Sequence, residues 1–488
     1  MSAHTCIQGN QRAGRILKAG GADHMRVQGN LGSGGRGVSA LRVVCADRGS
    51  LFPASLHPGR RRDPSPAASG PHRRRQPRSS LAGGPCHPSC LVLAWLVLAL
   101  AASDALAGNG IFQTGYGLAG RGMGGAATGM PLSPIDAVAF NPAGLTRFRG
   151  FTFDSATTLT DNPTVNGTVT SEAMGINLTG HLQHGLFMLP ASALTYQSGR
   201  LVGGFGAIAY AGSGSDWRNT DLKDFFRKAP PYNSDISAYV GIIRLSPALA
   251  VRVLEWLSLG ASLDVNLVQA DLGYGMGLDA CVGFSAGALL APLPWLSLGA
   301  SYTNESGTRA GRVLFVPDST SGDRGTGNYQ SVEVRSPQAV RAGVALTPLE
   351  NLILAFDYKW YNYARSHESQ DWQNVNVYSV GAQYRIRGRV ALRAGYTWHG
   401  QPVREHGGWD PADPTAVFAE YFRTLSTPLS MRENFTCGLG VNIKNFEVNI
   451  AYEKTFRSQS RSTSAGRVLQ YAVEFDQDHY SFGFTIRY

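Results

Sequence analysis

From Phe151 to Tyr488 the chain repeats one pattern, segments of about ten residues in which apolar and polar side chains alternate. Side chains on a strand point in turn to its two faces, so each segment has a greasy face and a polar one. The last segment is the plainest: Tyr480, Phe482, Phe484, Ile486 and Tyr488 alternate with Ser481, Gly483, Thr485 and Arg487. Elsewhere Asp264, Asp357, Arg393 and Glu447 fall on the polar faces, while the apolar faces end in Trp360, Tyr396, Trp398 and Tyr452. A soluble β-sandwich also alternates. Charges gathered on one face, with aromatics bounding the other, favour a barrel with a polar lumen in a membrane.

Fourteen strands are expected. They start near Phe151, Leu186, Leu201, Ile236, Trp256, Cys281, Trp295, Gln338, Asn351, Val375, Arg389, Asn434, Phe446 and Asp478. Short turns such as Gln197–Arg200, Ala291–Pro294 and Lys444–Asn445 separate them by turns with long connections such as Asn304–Pro337 and His399–Glu433. Short turns on one side and long loops on the other are the habit of outer-membrane barrels. The fold class expected for residues 150–488 is therefore all-β, a transmembrane antiparallel β-barrel. Closing the sheet satisfies every backbone group, which hydrocarbon demands. The terminal Tyr488 strand suits recognition by the barrel-assembly machinery.

Residues 1–85 are rich in Gly, Arg, Ser and Pro and cannot bury enough apolar surface to offset chain entropy, so they read as a disordered extension. A translation start downstream of Met1 is the other reading. The apolar run Leu91–Ala102 is too short to span a bilayer, which takes about 20 residues, and suits the core of a signal peptide over residues 86–107. Ala105-Leu106-Ala107 then offers a small-residue cleavage site before Gly108.

Charge follows the same division. The formal net charge is +10, yet residues 1–107 hold 14 Lys/Arg against 4 Asp/Glu, and residues 108–488 hold 30 of each. A neutral body carries no basic field for nucleic acid. Cys281 and Cys437 are the cysteines of the body; their spacing gives no metal motif, and whether they pair is open. His181, His184, His367, His399, His406 and His479 are scattered with no motif-linked Ser or Asp, so no enzyme, cofactor or metal is expected. A lipase-like or purely structural barrel is the alternative of another class.

Residues 108–149 do not read as a strand. Glycine is dense there and no period dominates. Gly120-x-Gly122-x-x-Gly125 matches a dinucleotide fingerprint formally, but no βαβ unit surrounds it. Glycines here let a compact coil pack inside something else. A general porin has no need of such a plug.

The run NGIFQTGYG…GRGMGGA…DAVAFNPAGL, with Gly110, Phe112, Gly122, Gly124, Gly125 and Asn141-Pro142-Ala143-Gly144, resembles the N-terminal hatch of the FadL/TodX family of outer-membrane hydrophobic-compound transporters. The phrases EWLSLGASLD, FDYKWYNYA and RVALRAGYTWHGQPV resemble the family's barrel. The resemblance implies a fourteen-stranded barrel, expected as a monomer, with a hatch in its lumen. It implies uptake of long-chain fatty acids, or of aromatic hydrocarbons, by loop capture, hatch movement and sideways exit into the bilayer. Candidates for ligand capture are Leu222, Lys223, Phe225, Phe226 and Arg227, with Leu314 and Phe315; their bland reading is loop packing. In the family the sideways opening arises at a kink in the third strand, where this chain carries Gly203, Gly204 and Gly206. Strand glycines mark a kink or a close approach of other backbone, and both readings stand.

Overall fold

A computed structural model describes residues 111–182, 187–223, 237–272, 275–317, 327–366, 372–426 and 431–488. The expectations for residues 1–107, and those for Gly110, Phe225, Phe226 and Arg227, lie outside the described residues.

Fourteen antiparallel strands close into a barrel. They are β1 (Phe151–Ser171), β2 (Phe187–Ser198), β3 (Leu201–Asp216), β4 (Ser237–Leu254), β5 (Leu257–Asp271), β6 (Gly277–Leu293) and β7 (Leu296–Thr303). Then come β8 (Ala339–Leu349), β9 (Leu352–Tyr361), β10 (Val375–Ile386), β11 (Val390–His399), β12 (Glu433–Ile443), β13 (Phe446–Ser464) and β14 (Gln470–Arg487). Each strand pairs with its neighbours in sequence, and β14 returns to pair with β1. The seam is latched at its end by Phe151 N to Tyr488 O at 2.9 Å and Tyr488 N to Phe151 O at 2.8 Å. Two strands start earlier than expected: β6 at Gly277 and β14 at Gln470.

The two faces carry the pattern read from sequence. Leu259, Leu263, Val282, Phe284, Ile450 and Phe482 are exposed on the outside, while Asp264, Asp357, Arg393 and Glu447 are buried toward the lumen. A soluble sandwich would show the reverse. Toward the long loops, rings stand side by side across strands: Tyr358 and Tyr378 at 5.5 Å, Tyr378 and Trp398 at 5.5 Å, Tyr452 and Tyr480 at 5.5 Å. Trp256 and Trp295 are exposed beside the short turns at the other end. Two aromatic belts bounding an apolar band match the two interfaces of a membrane. Cys281 and Cys437 are both free.

Residues 111–148 fill the lumen. They form helix α1 (Leu118–Gly122), helix α2 (Pro134–Phe140) and a 3-10 turn, Pro142–Arg147. Ser133 caps α2 by accepting from Asp136 N at 3.3 Å, with Pro134 at the first helical position. Asn141 ends that helix and caps the 3-10 turn through its side chain, accepting from Ala143 N. Past the long-loop end, the helix Pro414–Tyr421 and the π turn Phe422–Ser426 pack Tyr421 and Leu425 against Val165, Val169, Trp217 and Tyr471.

Candidate functional site

The hatch is seated on a belt of glycines. Gly260, Gly299, Gly343, Gly381 and Gly395 lie on the lumen face of five different strands, and a Cβ on any of them would collide with hatch backbone. Ala143 rests on Gly260, Thr128 on Gly299, and Met123 and Gly124 on Gly381 and Gly395. Bare backbone against bare backbone lets wall side chains reach hatch amides. Asp357 Oδ2 accepts from Ala127 N at 2.9 Å and Thr128 N at 2.7 Å, and Lys359 Nζ donates to Gly125 O at 2.7 Å. Asn141 Nδ2 donates to Ala288 O on β6 at 3.0 Å and to Thr128 O within the hatch at 3.0 Å. The Asn141–Gly144 run thus ties hatch to wall. Gly395→Val should unseat the hatch, because overpacking costs about 1–3 kcal/mol and here displaces main chain. The expected result is faster protease cleavage within residues 111–148, with the barrel's heat-resistant gel mobility retained.

Next to the hatch, toward the long loops, aromatic rings gather. Phe112 stacks on Tyr361 at 4.8 Å and meets Tyr210 edge-on at 5.1 Å, and Tyr116 stacks on Tyr210 at 5.4 Å. Arg244 lies 3.4 Å over the Tyr210 ring and pairs with Asp264 at 3.4 Å. Among the described residues Arg341 has no such counter-ion. It is 2% exposed, donates to Thr303 Oγ1 at 2.9 Å and Tyr210 OH at 3.4 Å, and leaves its Nε without a partner. The rings of Tyr361 and Phe140 stand 5.8 and 6.0 Å from it. A buried guanidinium held only by hydroxyls and ring faces is costly, and a carboxylate arriving there meets a donor already desolvated.

The wall parts between β2 and β3. The β2–β3 ladder runs from Ser198↔Leu201 to Ala191↔Ile208 and stops. Beyond it, Phe187–Pro190 pairs only with β1, and Ala209–Asp216 only with β4. Pro190 has no N–H to continue the ladder, and Tyr210 is an extra residue bulged out of the β3–β4 register between Ala209 and Ala211. The hatch occupies the freed edge of β3. Phe112 bridges Ala211, Gly212 N donates to Ile111 O at 2.9 Å, Tyr116 OH donates to Tyr210 O at 2.9 Å, and Gln113 Nε2 donates to Ala209 O. Edge groups that hydrocarbon cannot satisfy are satisfied by the plug.

The structure therefore moves the break in the third strand away from its glycines. Gly203, Gly204 and Gly206 sit where β3 is paired on both sides. Gly204 and Gly206 face Leu145 and Val138 of the hatch, where a Cβ would come within 3.1 and 2.8 Å. Close approach, not a kink, is what they provide. Among the capture candidates, Leu222 is fully buried with Trp217 and Val165 in the loop core, so it packs the loop, and Lys223 beside it is exposed. Leu314 and Phe315 lie on the strand Ser306–Pro317 of a hairpin outside the barrel. Phe112, Gly122, Gly124 and Gly125 all belong to the seated hatch. Sequence reasoning missed Arg341, Tyr210 and the glycine belt. The belt had a signal: its glycines stand at lumen parity in the middle of alternating strands, as in LSLGASLD and RAGYTW.

No protein-family model matches the chain, and no curated protein does. Solved structures do. The P. putida toluene transporter TodX is 17% identical, with a TM-score of 0.55, over 77% of this chain and 99% of that one. A Pseudomonas aeruginosa FadL homologue is 15% identical, with a TM-score of 0.60, over 78% and 99%. The Ralstonia pickettii toluene transporter TbuX is 15% identical, with a TM-score of 0.52, over 77% and 99%. The likeness covers most of the chain, barrel and hatch together, and the fold is theirs.

Proposed function

We propose that this fold serves as a bacterial outer-membrane channel, not an enzyme, and that it takes up hydrophobic molecules carrying a carboxylate, long-chain fatty acids first. The observation that carries the carboxylate is Arg341, a buried guanidinium with no acidic partner among the described residues, set among aromatic rings against the hatch. The head group would meet Arg341 while the tail lies along apolar wall residues such as Ile242, Val268 and Val375, which belong to the same buried cluster.

Exit follows from the β2–β3 gap. A ligand displacing Phe112 and Gln113 removes the groups that cap Ala209–Gly212, and the wall then opens sideways at the level of the bilayer. The step needs no energy source beyond the ligand's own partition into lipid, at about 0.8 kcal/mol per buried CH₂. A monomer completes the closed sheet.

A second reading, uptake of aromatic hydrocarbons, is favoured by the stacked rings of Phe112, Tyr116, Tyr210 and Tyr361 and by the two solved toluene transporters. Calorimetry on the purified barrel separates the two. Saturable oleate binding, with toluene binding weaker at matched free concentration, is expected. Toluene binding with none for oleate would transfer the assignment to aromatic uptake.

A further inference from the structure

We propose that seating of the hatch is proton-linked: the carboxyls of Asp136 in the hatch and Asp154 on β1 hold one proton between them while the hatch is docked, and its loss loosens the hatch. The argument is a count of donors. Asp136 is fully buried; its Oδ1 accepts from Gly117 N at 3.0 Å, and its Oδ2 from Gly120 N at 3.0 Å and Ser133 Oγ at 3.1 Å. Side chains at 117 and 120 would strike this carboxyl, so glycine at both is what admits it. Asp154 is also buried, accepts from Thr485 Oγ1 at 2.7 Å through Oδ1, and has the Ile135 N–H close by, yet its Oδ2 receives no hydrogen bond of good geometry. The Ser133 hydroxyl stands between the two acids but has one proton to give.

Among the described residues no cation is bonded to either acid, and Arg487 acts on Asp154 only through space. Arg487 on β14 spends its Nη2 on Glu447 at 2.9 Å, and Lys359 on β9 is bonded to Gly125 O. Arg393 on β11 is bonded to Gln383, Asn449 and Glu447. Two buried carboxylates with no bonded counter-ion repel, so the docked pair holds its first proton more tightly than an ordinary aspartate does, and a protonated Asp136 would supply the hydrogen that Asp154 Oδ2 lacks.

Burial, and then the Asp154 carboxyl, push Asp136 up to about 6, while the bonds from Gly117, Ser133 and Gly120 hold it down. An acid whose docked pKa is raised binds its proton more tightly when docked. Docking is therefore strongest at low pH, weakens as pH climbs from the ordinary aspartate value to about 6, and levels off above. Neither the substrate nor the exit route enters this inference; it requires only that the hatch can leave its seat.

The test is amide hydrogen exchange on the full chain in detergent at pH 5 and pH 7, expressed as protection factors so that the intrinsic pH dependence of exchange cancels. Protection at Gly117 and Gly120 should fall about tenfold from pH 5 to pH 7, with barrel-strand amides unchanged. Asp136→Asn cannot titrate and so should show equal protection at the two pH values, below the wild-type pH 5 value because its amide nitrogen cannot accept from Gly117 N or Gly120 N. Asp154→Asn, a second route if the first variant fails to insert, should also flatten the profile. Wild-type protection that does not change between the two pH values, or a pH effect that survives in a folded Asn variant, would overturn the proposal.

Discussion

Arg341→Met should lower oleate affinity roughly 10- to 150-fold while leaving the barrel as stable as before or more so, since a hydrogen bond to a charged group contributes about 1.5–3 kcal/mol. The two effects diverge because they draw on different terms. In the empty protein, Arg341 is dehydrated and compensated by the hydroxyls of Thr303, Tyr210 and Tyr361 and by ring faces. Replacing a buried charge with an apolar side chain of similar volume is often neutral or stabilising, by about 1–4 kcal/mol in measured ion pairs and triads. With ligand bound, the same guanidinium is the donor that a carboxylate loses. Met is the informative substitution; Ala would add a cavity and confuse the two. Toluene, having no charge, should bind the variant as well as the wild type. Equal loss of oleate and toluene, or a barrel that unfolds more readily, would mean that Arg341 holds the lumen together and does not select ligand.

What the sequence disclosed follows from where the bilayer imposes a rule. Lipid outside and polar lumen inside force a period of two, so strands such as β3, β10 and β13 begin where Leu201, Val375 and Phe446 announce them. Beyond the membrane that rule lapses. β14 runs back to Gln470, and there the apolar residues Tyr471, Val473 and Phe475 face inward onto the loop helix and π turn instead of outward onto lipid. Odd-numbered residues of β14 point inward along its length, polar at His479 and Ser481 but apolar at Tyr471, Val473 and Phe475, so the apolar set switches from even to odd positions, while the register shifts between Asp161 and Thr164 and between Thr455 and Ser458 add a residue to β1 and to β13. No periodicity survives such a switch, so the start of β14 was placed too late. The hatch is legible by its glycines, but the wall's matching glycines keep the alternation of their strands and so do not stand out. For the glycines of the third strand, kink and close approach read alike in sequence; the ladder ends at Pro190 on the neighbouring strand, and the extra residue is Tyr210. Arg341 looked like any lumen cation, since nothing local in a sequence says that a charge lacks a partner.

The hatch anchor offers the sharpest energetic test. Arg121 in α1 and Glu453 on β13 form an ion pair with side chains 1% and 0% exposed. Thr114 Oγ1 also donates to Glu453, Arg121 to Gln113, and Asn434 Nδ2 to Thr114 at 3.2 Å. Removing one member of a buried pair strands the other, at a cost of about 3–5 kcal/mol. Arg121→Met should therefore leave Glu453 buried with only the Thr114 hydroxyl and His479 beside it, and raise hatch opening by roughly 10²- to 10³-fold or more at 1.4 kcal/mol per tenfold. The double change Arg121→Met with Glu453→Met removes both charges and should recover most of that loss. Hydrogen exchange at residues 118–125 reads each variant, and the cycle isolates the coupling. A pair acting as a lock gives one large single-mutant effect that largely disappears in the double. Additive losses would instead mean that each residue packs the lumen on its own account, and the hatch would then be held by its glycine seat and the Asp357 and Lys359 bonds alone.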